Sequence, residues 1–267
     1  MGVSRRALSF SGGGHLLVYH LGVLSRLRAA GITDGVSCYA GSSGGAIAAV
    51  AAVCIADVDH FATEFALKGE SRRGLEQMLP ADSDVVRLTT GGRLGIAVTK
   101  CQTGESVLIR GFGSRESLLR AVQASCLIPP SFHPLEFFSF SEPRETACRS
   151  RFDDSEGVRL EGLEGAFVDG GLSANIPLVP GHDTLRVSVL ACPGERGLIA
   201  NNHSSSLRLP GWVYMSGLRV RLSLSNLRAG LAAVAATRGE LGHFYERGCA
   251  DAEAFLASDR SWIHKSS

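Results

Sequence analysis

AGSSGGAIAAV, running from Ala40 to Val50, sets two serines among glycines between two apolar runs. Gly41, Ser43 and Gly45 fit GxSxG, which places a serine on a sharp strand-to-helix turn whose neighbours must be small because larger side chains would clash. Five residues alone describe a glycine turn equally well, so the flanks matter. Upstream, Val36 to Ala40 (VSCYA) is short, apolar and partly β-branched or aromatic, as a buried strand is, and Gly35 closes off what precedes it. Downstream, Ala46 to Ala56 is alanine-rich and apolar on every face, which suits a helix buried in a core. Strand, elbow and helix follow in order, and Ser43 becomes a candidate nucleophile.

Working outward, residues 7–11 (ALSFS) form a strand-like run that enters Gly12-Gly13-Gly14. In the following HLLVYHLGVLSRLRAAG, Leu17, His20 or Leu21, Leu24 and Leu27 recur at helical spacing until Gly31 ends the pattern as a C-cap would. The chain thus opens with a βαβα unit, the signature of a parallel sheet covered by helices. Residues 95–110 predict a hairpin through Thr103-Gly104, and Ser114 predicts the N-cap of a helix over RESLLRAVQASCLI, stopped by Pro129-Pro130. Residues 133–165 lack a sustained period and predict a long surface excursion. A strand-like AFV then ends in Asp169-Gly170-Gly171, residues 184–191 alternate like another strand, and residues 222–256 are mostly helical in pattern.

Bulk properties narrow the function classes. With 267 residues and 45% hydrophobic composition, a single domain spanning 1–267 is expected, with a core of roughly 5–195 and a helical extension at 205–260. A formal charge of +1, from 27 basic and 26 acidic residues, provides no global field to gather nucleic acid. The cysteines at 38, 54, 101, 126, 148, 192 and 249 form no CxxC pair, so the expectation is core thiols in a reducing, cytoplasmic compartment. The opening residues hold no secretory-type apolar stretch, MGVSRR has Arg6 where a myristoylation motif has Ser or Thr, and the longest apolar run is too short for a bilayer. A soluble or peripherally bound protein is expected.

SGGG at 11–14, GSSGG at 41–45 and VDGG at 168–171 each end an apolar strand-like run, and the carboxyl ends of strands are where α/β proteins build sites. Acyl transfer by a serine needs a nucleophile, a base and donors for the oxyanion. Ser43, Asp169 and the amides of Gly12, Gly13 and Gly14 can fill those roles, provided that desolvation raises the Asp169 pKa from its ordinary value near ~3.9. The bland readings are a phosphate loop and a plain Asp-Gly-Gly turn. GxGxxG fails at Leu17 and no Walker lysine follows, whereas the turn reading stays open.

FSGGGHLLVYHLGVL, AGSSGG and FVDGGLSANIPL, in that order, resemble the patatin-like phospholipase family; VQASCLIPPSF at 122–132 and YERGCADAEAFL at 245–256 agree with it, the latter with its adiponutrin-type branch. The resemblance implies a three-layer α/β/α sandwich with a mostly parallel central sheet, and lipid acyl hydrolysis by a Ser43–Asp169 dyad with Gly12 to Gly14 as the oxyanion loop. It implies no metal or organic cofactor, and a lipid substrate met at a membrane or lipid-droplet surface. Asn175 and Pro177 match the family's Asn-x-Pro after the aspartate and would order that loop. One departure stands out: Leu16 and Leu17 occupy positions where the family usually has a glycine, often after Arg or Lys.

Two competing readings remain. One is a Ser-His-Asp triad of the α/β-hydrolase kind, for which His182, His203, His243 and His264 follow Asp169 in the required order, while His15 and His20 read as packing or solvent contacts. The other is a catalytically silent lipid-binding protein. Two segments, SFHPLEFFSF at 131–140 and WVYMSGLRVRLSL at 212–224, carry aromatic residues suited to a lipid interface, with Arg219 and Arg221 beside Trp212, Tyr214 and Met215 in the second.

Overall fold

The run before the first glycine cluster forms β1 (Arg5–Phe10), and the helical pattern after it forms α1 (Leu17–Ala29), with Gly31 left-handed just past its end. This computed structural model describes residues 5–133, 151–192, 197–201, 208–216 and 218–258. β2 (Val36–Ser42) and α2 (Gly44–Cys54) flank the elbow. Three short helices follow, α3 (Val58–Glu64), α4 (Ser71–Met78) and α5 (Asp82–Thr89). β3 (Leu94–Lys100) and β4 (Ser106–Arg110) make the expected hairpin, and α6 (Arg115–Ser125) starts at Ser114 with a reciprocal Ser114–Ser117 capping box. β5 (Val158–Arg159), β6 (Ala166–Asp169), β7 (His182–Ser188) and β8 (Leu198–Ala200) complete the main sheet. A separate hairpin, β9 (Arg208–Met215) and β10 (Leu218–Ser223), leads into α7 (Leu224–Ala235) and α8 (Arg238–Ser258).

The sheet order is β5-β6-β3-β2-β1-β7-β8, with β4 on β3. β3, β2, β1, β7 and β8 are mutually parallel, whereas β4 and β6 pair antiparallel with β3. This is the α/β arrangement expected from the opening βαβα unit. Leu8, Phe10, Tyr39, Ile96, Leu185 and Val187 join the main core formed with the helices, while Ala7, Cys38 and Ala40 make a smaller cluster closed by Val179. Small residues on that second face let the chain after β6 lie close against it.

α8 lies on α1, and two glycines make the approach possible. A Cβ on Gly22 would meet the Tyr245 carbonyl, and one on Gly248 would meet that of Tyr19. The buried Tyr19 hydroxyl also donates to Asp251 at 2.9 Å.

The structure departs from expectation in several places. α6 ends at Ser125 rather than near Ile128, because the residues before a proline are pushed away from helical geometry. The segment at 212–224 is a β-hairpin with Val213, Met215, Leu218 and Val220 buried, so Met215 is core rather than a lipid anchor. Phe137, Phe138 and Phe140, together with His203 and His264, lie outside the described residues.

Candidate active site

Register on β3 brings the site together. Positions 94–97 of β3 pair with β2, and positions 98–100 on the same edge pair with β6 arriving from the opposite direction. Ser42 therefore stands opposite Ala97, and Asp169 stands opposite the next residue, Val98. The carboxyl ends of the two strands meet head to head, which puts Ser43 and Asp169 at one point.

Ser43 has φ 52° and ψ −126°, on the left-handed side of backbone space that residues with a Cβ rarely occupy. Its amide donates to Ser125 Oγ at 2.9 Å, and that hydroxyl donates to the Ala97 carbonyl at 2.7 Å. The elbow is thus strapped to α6 and β3. A Cβ on Gly41 would meet the Gly45 carbonyl, and one on Gly45 would meet the carbonyls of Phe10 and Ser11. The GxSxG spacing is a steric requirement of this turn. Gly45→Ala should lower stability by about 2–4 kcal/mol, or roughly 5–10 °C in Tm. Gly113, whose Cβ would meet nothing, supplies the control: Gly113→Ala should stay within about 0.5 kcal/mol of the parent. Equal melting temperatures for the two variants would contradict this account of the elbow.

Asp169 is buried and held from three sides. Its amide donates to the Leu127 carbonyl at 2.8 Å, its own carbonyl accepts from Thr99 Oγ1 at 2.7 Å, and its Oδ1 accepts from the Gly171 amide at 2.7 Å. The early end of α6 is what leaves the Leu127 carbonyl available. Burial pushes the Asp169 carboxyl up to about 6, against the Ser43 and Gly171 hydrogen-bonding contacts that hold it down. The carboxylate is therefore a stronger base than a solvated aspartate and remains ionised at neutral pH.

The glycine loop joins the same site through Asn175. Its backbone carbonyl accepts from the Gly12 amide at 2.9 Å and from Ser42 Oγ at 2.6 Å, tying the first loop, the elbow and the segment after Asp169 together. The ordering expected of Asn175 is thus carried by its main chain. The Gly12 amide is committed to Asn175, and the loop amides without a hydrogen-bond partner among the described residues are those of Gly13 and Gly14. Gly13 lies under Val189, where an added Cβ would sit 2.8 Å from a valine methyl. Leu16 and Leu17 are both buried and turn the chain directly into α1, so the bulky residues fill core rather than the loop.

Among the described residues, His15 lies exposed in the turn just after Gly14, and the other histidines stand apart from Ser43 and Asp169. His182 is paired with Arg5 at the opposite end of the sheet, and its Nδ1 lies 2.9 Å from the Pro180 carbonyl. His243 is on α8, edge-on to Phe244. His20 is fully buried, and its Nε2 lies 2.8 Å from the Ser11 carbonyl just before the glycine loop; burial depresses its pKa to about 4, so at neutral pH it is uncharged and Nε2–H is the donor. Sequence reasoning left Ser42, Thr99 and Ser125 without roles. Ser125 lies within the quoted VQASCLIPPSF, but a serine in the last turn of a helix carries no signal that it receives an amide from a turn 82 residues away.

A family model for patatin-like phospholipases matches residues 8–82. Among curated relatives, "Patatin-like phospholipase domain-containing protein 2" of Bos taurus is 30% identical over 75% of this chain and 40% of its own length. "1-acylglycerol-3-phosphate O-acyltransferase Pnpla3" of Mus musculus is 28% identical over 84% of this chain and 52% of its own length. "Patatin-like phospholipase domain-containing protein 4" of Homo sapiens is 25% identical over 96% of this chain and 98% of its own length. The chain thus spans about 40% of the first of these relatives and nearly all of the third. With the ordered glycine loop, elbow and aspartate motifs gathered at one end of the sheet, the chain belongs to the patatin-like phospholipase family.

Proposed function

We propose that this protein is a serine lipid acyl hydrolase that cleaves fatty-acyl esters of glycerolipids through Ser43 and Asp169. The observation that carries the reading is the convergence on one edge of β3: a serine with φ 52° and a buried aspartate whose pKa is raised to about 6. Asp169 takes the Ser43 hydroxyl proton as Oγ adds to the ester carbonyl carbon, and the Gly13 and Gly14 amides receive the oxyanion. Collapse expels the alcohol, which leaves with that proton. Water then attacks the acyl-enzyme, passing a proton to Asp169, and the fatty acid departs as Ser43 regains its own. An acceptor alcohol in place of water would give acyl transfer by the same steps, and no metal or organic cofactor enters them.

Because the base must be ionised, kcat/KM for a p-nitrophenyl acyl ester should be low at acid pH, climb as pH rises through about 6, and level off above it. Activity that grows with acyl-chain length would support a lipid substrate. A profile flat between pH 5 and 8 would remove Asp169 as the base.

A further inference from the structure

α7 is built inside out. Asn226, Ala229 and Ala232 form its buried side, where Asn226 Oδ1 accepts from the Ala191 amide at 2.7 Å and Nδ2 donates to the Arg221 carbonyl at 2.7 Å. Its large side chains point away from the protein: Leu224, Leu227, Leu231 and Val234 are 50%, 61%, 67% and 76% exposed. Spacings of three, four and three residues put them in one stripe. Eight large hydrophobic side chains are exposed among the described residues and these are four of them, so the stripe is a concentrated feature rather than the usual scatter.

Place and charge identify what covers it. α7 packs on the turn after the glycine loop, so closely that a Cβ on Gly14 would meet the Ala233 carbonyl, and the stripe therefore borders the candidate site. From Arg196 to Gly239 the sequence has six arginines and no aspartate or glutamate, within a chain whose net charge is only +1. Arg219 lies over the Trp212 ring at 4.1 Å, with Arg221 at 5.0 Å; Arg228 is exposed on α7, 3.5 Å from Glu240 in a pair that solvent weakens. Exposed aliphatic side chains with Arg228 among them, in a stretch of chain whose charged residues are arginines, match the interior and the surface of an anionic bilayer.

We propose that the outer face of α7, with Arg228 on it, docks the protein on anionic phospholipid membranes and sets the glycine loop at the lipid surface. The proposal rests on the lipid-hydrolase reading for its purpose, but its test does not need catalysis. In flotation with extruded phosphatidylcholine vesicles, with and without phosphatidylserine, the full chain should bind the anionic vesicles and release them as salt is raised. Leu227→Gln/Leu231→Gln should reduce that binding at least about tenfold. Its turnover of a dissolved short-chain p-nitrophenyl ester should stay at the parent's level, and Ser43→Ala should float like the parent. Equal flotation of parent and double variant, or no flotation of either, would overturn the docking face. So would a dimer in solution that the double variant converts to monomer, which would assign the stripe to a second copy of the chain. Loss of ester turnover with flotation intact would count against the active-site reading alone.

Discussion

Ser43→Ala is expected to lower turnover of acyl esters by at least about a thousandfold while leaving the fold intact. The size follows from chemistry: without Oγ there is no acyl-enzyme, and an amide pair that receives an oxyanion has no attack to assist. Preservation of the fold follows from local contacts. The bonds that hold the elbow come from the Ser43 amide to Ser125 and from the Ser42 hydroxyl to Asn175, and alanine retains both. Alanine also keeps the Cβ, so the left-handed backbone at 43 is neither relieved nor made worse. Comparing ester turnover with melting temperature in the two proteins checks both halves. Residual turnover within tenfold of the parent would place the nucleophile elsewhere.

Asp169→Asn is expected to lose activity and gain stability, a pairing that a purely structural aspartate would not produce. Loss of the base should reduce turnover by about a hundredfold or more. The stability change follows from proton linkage. The native carboxyl, with its pKa raised from 3.8 to about 6, keeps its proton to a higher pH than the unfolded chain does. The native state therefore binds more protons between those values, and the stability this provides below about pH 4 is lost as pH rises through about 6. At neutral pH the deficit is on the order of 3 kcal/mol. Asparagine carries no charge and still offers Oδ1 to the Gly171 amide, so Asp169→Asn should melt about 5–8 °C above the parent at pH 7 and show little gain at pH 4. A variant that melts lower at pH 7 would mean that burial does not raise this carboxyl.

Much of the site could be read from the chain because each of its motifs is local. Glycine at 41 and 45 is dictated by carbonyls within reach of the turn itself or of β1, and the apolar periods on either side announce strand and helix. What joins the motifs is not local. Nothing near Ala166 reveals that β6 runs antiparallel and continues the same edge of β3 beyond the end of β2, yet that register alone brings Asp169 to Ser43. The same applies to Asn175, whose side chain is the recognisable feature but whose carbonyl accepts the Gly12 amide. Three short helices at 58–89 are too brief to announce themselves by periodicity, and α7 defeats the usual inference because its leucines face outward. In the hairpin at 208–223 the alternation hides Met215 and Val220 in the core and leaves Trp212 and Tyr214 half-buried on the other face, a split that the composition of the segment does not show.

The central claim is that Ser43 is the activated nucleophile of this fold. Its most direct test is to label the folded protein with a fluorophosphonate probe at pH 7.5 and locate the adduct by peptide mass spectrometry. The account predicts one modified residue, Ser43, with labelling absent in Ser43→Ala and strongly slowed in Asp169→Asn. An adduct on any other residue, or labelling that survives in Ser43→Ala, would contradict it.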